Sequence, residues 1–130
     1  KLVAVLFSEN KKIINFALNN FDFFKESKIN TILLDTKNKN SLGTLEIFSD
    51  DFLINFIESG KNKKINIGIA GKIKIVNLNR LLLLKPDLVG IRGSACISSN
   101  RESAISIRLI KKINSYFTDE IRNAQDVAGA

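Results

Sequence analysis

Four stretches of this 130-residue chain hold the groups that could handle an anionic substrate. Ser8-Glu9-Asn10 follows an apolar run. Leu34-Asp35-Thr36-Lys37-Asn38-Lys39 puts a carboxylate beside two lysines. Ala70-Gly71-Lys72-Ile73 and Gly90-Ile91-Arg92-Gly93-Ser94-Ala95-Cys96 are rich in small residues. Gly71, Gly93, Ser94 and Ala95 let backbone N–H groups approach a phosphate closely, and Arg92 and Arg101 could add charge-assisted bonds to its oxygens. Plainer readings stand beside these. Asp35 could cap the loop that follows it, Lys37 and Lys39 could be solvated, and Arg92 could pair with a neighbouring carboxylate. Cys96 reads as a small packing residue.

Composition removes several chemistries. The chain has no histidine, which excludes Ser-His-Asp and Cys-His nucleophiles, histidine metal sites and histidine pH switches. The single cysteine, Cys96, excludes an internal disulfide and a cysteine-rich zinc module. No apolar run approaches the ~20 residues of a membrane span, so a cytoplasmic setting is expected. The net charge of +7 raises nucleic acid as a partner. The lysines are spread along the chain with abundant Asn and Ile, however, and the phenylalanines fall inside apolar stripes instead of alternating with basic residues. Neither nucleic acid nor membrane is therefore expected as a partner. Absence of methionine and a start at Lys1 predict that residue 1 is internal to a longer protein.

The elements that must position these groups alternate. Residues 2–7, 30–35, 65–70 and 87–92 are nearly continuous in Val, Ile and Leu, the pattern of parallel strands covered on both faces. Between them, Ile13, Ile14, Ala17, Leu18, Phe21 and Phe24 mark one face of a first helix. Ser49 caps a second, with Leu53, Phe56 and Ile57 as its stripe and Gly60 as its stop. Leu78, Leu81 and Leu82 mark a third helix, ending before Pro86. Ile105, Leu109, Ile113 and Tyr116 carry a fourth. Residues 1–118 thus form four consecutive βα units, and residues 119–130 form a tail, with residues 123–130 lacking apolar periodicity and expected to fray. A doubly wound, flavodoxin-like sheet and half of a (β/α)8 barrel both use this pattern. Both place function at the carboxyl ends of the strands.

Those ends carry a resemblance. The segment from Gly90 to Cys96, with Arg101 shortly after, is similar to the Gly-Val-Arg-Gly-Ala-Ala-Cys signature of the (5-formylfuran-3-yl)methyl phosphate synthase family. Ala70-Gly71-Lys72-Ile73 resembles that family's Ala-Gly-Ser-Ile, with Lys72 in place of the serine. Leu34-Asp35-Thr36 with Lys39 resembles its Leu-Asp-Thr-x-x-x-Lys. The three motifs fall in the family's order, and the likeness runs from about residue 1 to 117, the C-terminal half of the family's length.

The resemblance implies an α/β fold, the C-terminal half of a TIM barrel. It implies a lyase of methanofuran biosynthesis that joins two molecules of glyceraldehyde 3-phosphate through a lysine Schiff base into a phosphorylated furan aldehyde, releasing phosphate and water. In that reading Lys39 is a general acid/base and Asp35 holds it or relays a proton. Gly71, Lys72, Arg92, Gly93, Ser94 and Arg101 bind substrate phosphate. The Schiff-base lysine, its partner aspartate and another active-site lysine belong to the family's N-terminal half, so these 130 residues alone are expected to be inactive and the full-length protein to be a homo-oligomer. Two alternatives are another triose- or sugar-phosphate barrel and a flavodoxin-like, non-enzymatic binding domain.

Overall fold

The apolar runs form strands β1 (Leu2–Phe7), β2 (Ile29–Asp35), β3 (Asn66–Ile69) and β4 (Leu88–Val89). They pair in parallel in the order β1-β2-β3-β4. The computed structural model describes residues 1–38 and 40–129, with side chains through residue 119. Helices α1 (Lys11–Asn19), α2 (Phe21–Glu26), α3 (Thr44–Ile47), α4 (Asp50–Asn62), α5 (Leu78–Leu84) and α6 (Ile107–Gly129) fill the connections. A doubly wound sheet of the flavodoxin type reverses its strand order; these four strands run in chain order without reversal.

Right-handed crossovers between consecutive strands put α1 to α5 on the same side of the sheet. Ile32, Leu34, Ile67 and Ile69 face that side and are fully buried. They pack with Ile14 and Ala17 of α1, Phe21 of α2, Leu53 and Phe56 of α4, and Leu78 and Leu81 of α5 in one core. Phe21 meets Phe56 edge-to-face at 5.2 Å across this layer. The opposite face is different. Val3, Val5 and Phe7 alternate with the core-facing residues of β1 and are 53%, 47% and 40% exposed. Leu88 of β4 is exposed too. The expectation of strands covered on both faces therefore holds for one face only, because one-sided crossovers leave no helix for the other.

The helix boundaries differ from the expected ones for local reasons. The first helix is two, broken at Asn20, whose backbone leaves the helical region (φ −136°) and whose side-chain Nδ2 donates to the Phe16 carbonyl at 2.7 Å. An asparagine side chain that binds nearby backbone competes with the helix in this way. Ser49 caps α4 as expected, its Oγ accepting the Phe52 N–H at 3.3 Å. The helix continues past Gly60 to Asn62. Gly60 matters for spacing instead: a Cβ there would sit 2.6 Å from Ile67 Cδ1, so glycine lets α4 lie directly on β3. α5 ends at Leu84 and is capped by Lys85, in the left-handed region (φ 53°), just before Pro86.

The fourth helix begins at Ile107, and Ile105 lies outside it, bridged antiparallel to Cys96. The boundary expected at residue 118 falls inside α6, which continues to Gly129. β4 is shorter than expected. Gly90 N–H still reaches the Ile69 carbonyl at 2.9 Å, but β3 ends at Ile69, which leaves Ile91 and Arg92 without a ladder partner. Arg80 of α5 fastens the α3–α4 junction: Nε bonds Asp50 Oδ1 at 2.6 Å, Nη2 donates to the Phe48 carbonyl at 3.1 Å, and Nη1 donates to the Leu45 carbonyl. Among the described residues no helix is long and apolar enough to cross a membrane.

Candidate functional site

The carboxyl ends of the four strands are laced together from below. Ser8, directly after β1, is fully buried; its N–H donates to the Asp35 carbonyl at 2.7 Å and its hydroxyl lies 2.9 Å from Thr44 Oγ1. Thr44 is fully buried as well, and its N–H donates to the Gly71 carbonyl at 3.2 Å. One hydrogen-bonded path thus joins β1, the loop after β2 and the end of β3. Gly71 completes it with a backbone that L side chains rarely adopt (φ +90°). A Cβ there would lie 2.6 Å from Thr44 Oγ1 and 2.9 Å from Thr36 N.

Asp35 is the last residue of β2 and is half-buried; its Oδ1 accepts the Thr36 N–H at 2.7 Å. The loop-capping role open to it in the sequence is thus realised by one of its oxygens. Lys37 is exposed, and Lys39 lies outside the described residues. Between β2 and α3 the chain is held by Glu9, the residue after Ser8. Glu9 Oε1 accepts the N–H groups of Lys37 and Asn38, each at 3.0 Å, and lies 2.9 Å from Ser41 Oγ. Burial pushes this carboxyl up, but the hydrogen bonds from Asn38, its own amide, Ser41 and Lys37 outweigh that and hold it below the usual glutamate range. Glu9 lines an open depression with Phe7, Asn10, Lys11, Lys12, Lys37 and Asn38, so three lysines surround one carboxylate that is already committed to the loop.

At the other two strand ends the small residues make tight turns. Lys72 follows Gly71 in the left-handed region (φ 57°), is exposed, and donates from Nζ to the Ser41 carbonyl. Gly93, Ser94 and Ala95 form a single 3-10 turn. Ser94 is buried, and its hydroxyl donates to the Ile73 carbonyl at 2.6 Å, tying the loop after β4 to the loop after β3. Among the described residues, the N–H groups of Gly71, Lys72, Gly93 and Ser94 make no hydrogen bond, whereas those of Ala95 and Cys96 close the turn onto Arg92 and Gly93. Arg92 and Arg101 are both exposed. Cys96 is buried and its thiol donates to the Arg92 carbonyl at 3.2 Å, consistent with a packing residue. Among the described residues no cluster of acids and cysteine suits a metal ion.

Ser41 and Thr44 were not singled out by sequence reasoning, and Glu9 stood only within the first strand end, with no role given to it. Their partners lie 28 to 36 residues away in the chain, and no spacing rule links them.

A parallel α/β sheet whose strand ends carry a carboxylate, several lysines and two small-residue turns belongs to the class of α/β proteins that build their sites at the carboxyl ends of the strands. The comparisons with known proteins narrow it. A profile of the 4-HFC-P synthase family matches residues 1–114, and the chain belongs to that family. The chain is 28% identical to the (5-formylfuran-3-yl)methyl phosphate synthase of Methanosarcina acetivorans over 88 residues, 68% of this chain and 37% of the relative. It is 30% identical to the synthase of Methanococcus maripaludis strain C7 over 90 residues, 68% and 38% of the two chains. With the synthase of Methanosarcina barkeri it shares 26% identity over 114 residues, 87% and 48%. The chain therefore spans less than half the length of these curated relatives.

Proposed function

We propose that this chain is the C-terminal half of a TIM-barrel (5-formylfuran-3-yl)methyl phosphate synthase, an enzyme of methanofuran biosynthesis. The full-length protein joins two molecules of glyceraldehyde 3-phosphate into the furan aldehyde phosphate, releasing one inorganic phosphate and two waters. The fold supports this reading: strands in chain order, helices on one face, an uncovered apolar second face and open edges at β1 and β4 are what one arc of a barrel presents.

One observation carries the assignment of chemistry. The ends of β3 and β4 are tied by Ser94 and Ile73, and both present uncommitted backbone N–H groups, at Gly71 and Lys72 on one side and Gly93 and Ser94 on the other. Such paired amides suit a phosphate dianion, and the loops after the last two strands are where barrels commonly bind it. Arg92, Arg101 and the Lys72 ammonium add positive charge around the same loops. At the β2 end, Lys39 acts as general acid/base in the aldol and dehydration steps, with Asp35 holding its ammonium or relaying its proton. The lysine that forms the substrate imine comes from the N-terminal half of the barrel. The reaction then needs neither metal nor organic cofactor.

The test is direct. The full-length gene product carrying this sequence is incubated with glyceraldehyde 3-phosphate, and the furan aldehyde phosphate is sought by mass spectrometry. Product is expected from the wild type and is lost in Lys39→Ala. A folded, full-length protein that gives no product overturns the assignment.

A further inference from the structure

Ser41 lies between two charges from strands that are not neighbours. Its hydroxyl is 2.9 Å from Glu9 Oε1, at the end of β1, and its carbonyl accepts from Lys72 Nζ, at the end of β3. The same hydroxyl is 2.9 Å from the Asn38 carbonyl. A hydroxyl has one hydrogen, and an ionised carboxylate is the stronger acceptor, so Glu9 draws it. Glu9 also binds the N–H groups of Lys37 and Asn38. The loop after β2 is thereby gripped at its near side by an anion and at its far side by a cation, and residue 39 lies between the gripped positions 38 and 41 in the chain.

We propose that Glu9 and Lys72 are positioning residues that act through Ser41 to fix residues 37–38 and 40–41 of the loop after β2, on either side of position 39 in the chain, relative to Asp35. On this inference the Lys72 ammonium serves chiefly as a tether, while the Lys72 backbone N–H stays with the phosphate cradle, and Glu9, which lines a depression with Lys11, Lys12 and Lys37, serves the loop and not the proton transfers. The catalytic consequence rests on the synthase reading above; the mechanical one does not. Glu9 is exposed and lies outside the core, so its removal leaves the fold intact.

Two measurements on the full-length gene product separate the possibilities. Hydrogen exchange of the peptide spanning residues 36–42 reports the grip without any substrate. Ser41→Ala and Lys72→Met should each speed exchange there by about tenfold, the effect of losing one charge-assisted hydrogen bond, and Glu9→Ala, which removes the bonds from Lys37, Asn38 and Ser41, by more than that. Glu9→Gln, which keeps an acceptor oxygen, should restore most of the protection. Turnover of glyceraldehyde 3-phosphate reports the consequence: kcat falls by about tenfold in the same variants while KM changes little, and Glu9→Ala with Lys72→Met is less than additive because both act on one loop. Unchanged exchange in Glu9→Ala overturns the proposal. So does a Lys72→Met variant with native exchange and a raised KM, which makes Lys72 a phosphate ligand. If the wild type makes no furan product but exchange responds as described, the synthase reading fails and the grip stands.

Discussion

Ser94 and Ile73 are 21 residues apart, and the buried Ser94 hydroxyl donates to the Ile73 carbonyl at 2.6 Å. This single bond sets the β4 loop against the β3 loop, and both loops contribute to the proposed phosphate cradle. Ser94→Ala leaves a carbonyl at a buried residue without its partner. The expected loss is about 1–3 kcal/mol in urea unfolding. The KM for glyceraldehyde 3-phosphate should rise with it, because the two pairs of amides are no longer held in one arrangement. Stability and KM both unchanged would mean that the loops are set by something else.

Gly71→Ala tests the knot beneath the rim. The backbone at Gly71 is in the left-handed region, and the new methyl would collide with Thr44 Oγ1 and with the backbone of Thr36. Strain at such a position costs about 1–3 kcal/mol before the collision is counted. The collision is with backbone and a buried hydroxyl, neither of which can move cheaply. Full-length Gly71→Ala is expected to unfold at a clearly lower urea concentration than wild type, with the slope of the transition unchanged.

The parallel α/β pattern was legible because it is written locally. Continuous Val, Ile and Leu runs gave the strands to within a few residues at β1 and β2, and Ser49 and Pro86 marked helix ends by known backbone chemistry. The break at Asn20 is a contest between a side chain and a helix carbonyl, which composition does not decide. The bare face of β1 could not be read from Val3, Val5 and Phe7, because their side chains have the same polarity as those of Leu6 and Ile32; only the handedness and order of the crossovers separate the two faces. At the site, Asp35 and the glycine turns were legible as motifs. Glu9 and Ser41 were not, since their roles come from hydrogen bonds between strands far apart in the chain.

Acid should release the loop after β2. The folded Glu9 carboxyl titrates below its ordinary value, so the stabilisation it gives is fully present above the unfolded glutamate pKa of about 4.3 and is lost as pH falls through the lower folded value. Exchange in residues 36–42 should therefore be insensitive to Glu9 between pH 7 and 5, once the intrinsic dependence is divided out, and should rise below the ordinary glutamate range. In Glu9→Gln that rise disappears. A rise that persists in Glu9→Gln would assign the transition to another carboxylate.

Arg80 binds three groups at the junction of α3 and α4: the Asp50 carboxylate and the carbonyls of Leu45 and Phe48. Exposed ion pairs contribute little, so the two carbonyls should matter more than Asp50. Arg80→Lys keeps a charge near Asp50 but cannot serve both carbonyls at once. It is expected to lose nearly as much stability as Arg80→Ala, about 1–3 kcal/mol, whereas Asp50→Asn loses under about 1 kcal/mol. The order of these three variants in thermal unfolding checks the argument.

The uncovered sheet face yields the sharpest test of the barrel. Val5 and Leu33 are register partners on that face, and a Cβ at Gly68 would stand 2.7 Å from Leu33 Cδ1 and 3.2 Å from Leu88 Cβ. A surface of Val3, Val5, Phe7, Leu33 and Leu88 is too apolar to remain in water without a partner. Residues 1–130 expressed alone should self-associate, as sedimentation would detect, and Val5→Glu should shift them toward monomer with little loss of helix content. In a closed barrel the same side chain points into the packed interior, where an unpaired carboxylate costs of order several kcal/mol. Val5→Glu should therefore solubilise the isolated segment and destabilise the full-length protein. Equal tolerance in both would mean that this face is never covered, and the barrel reading would fall.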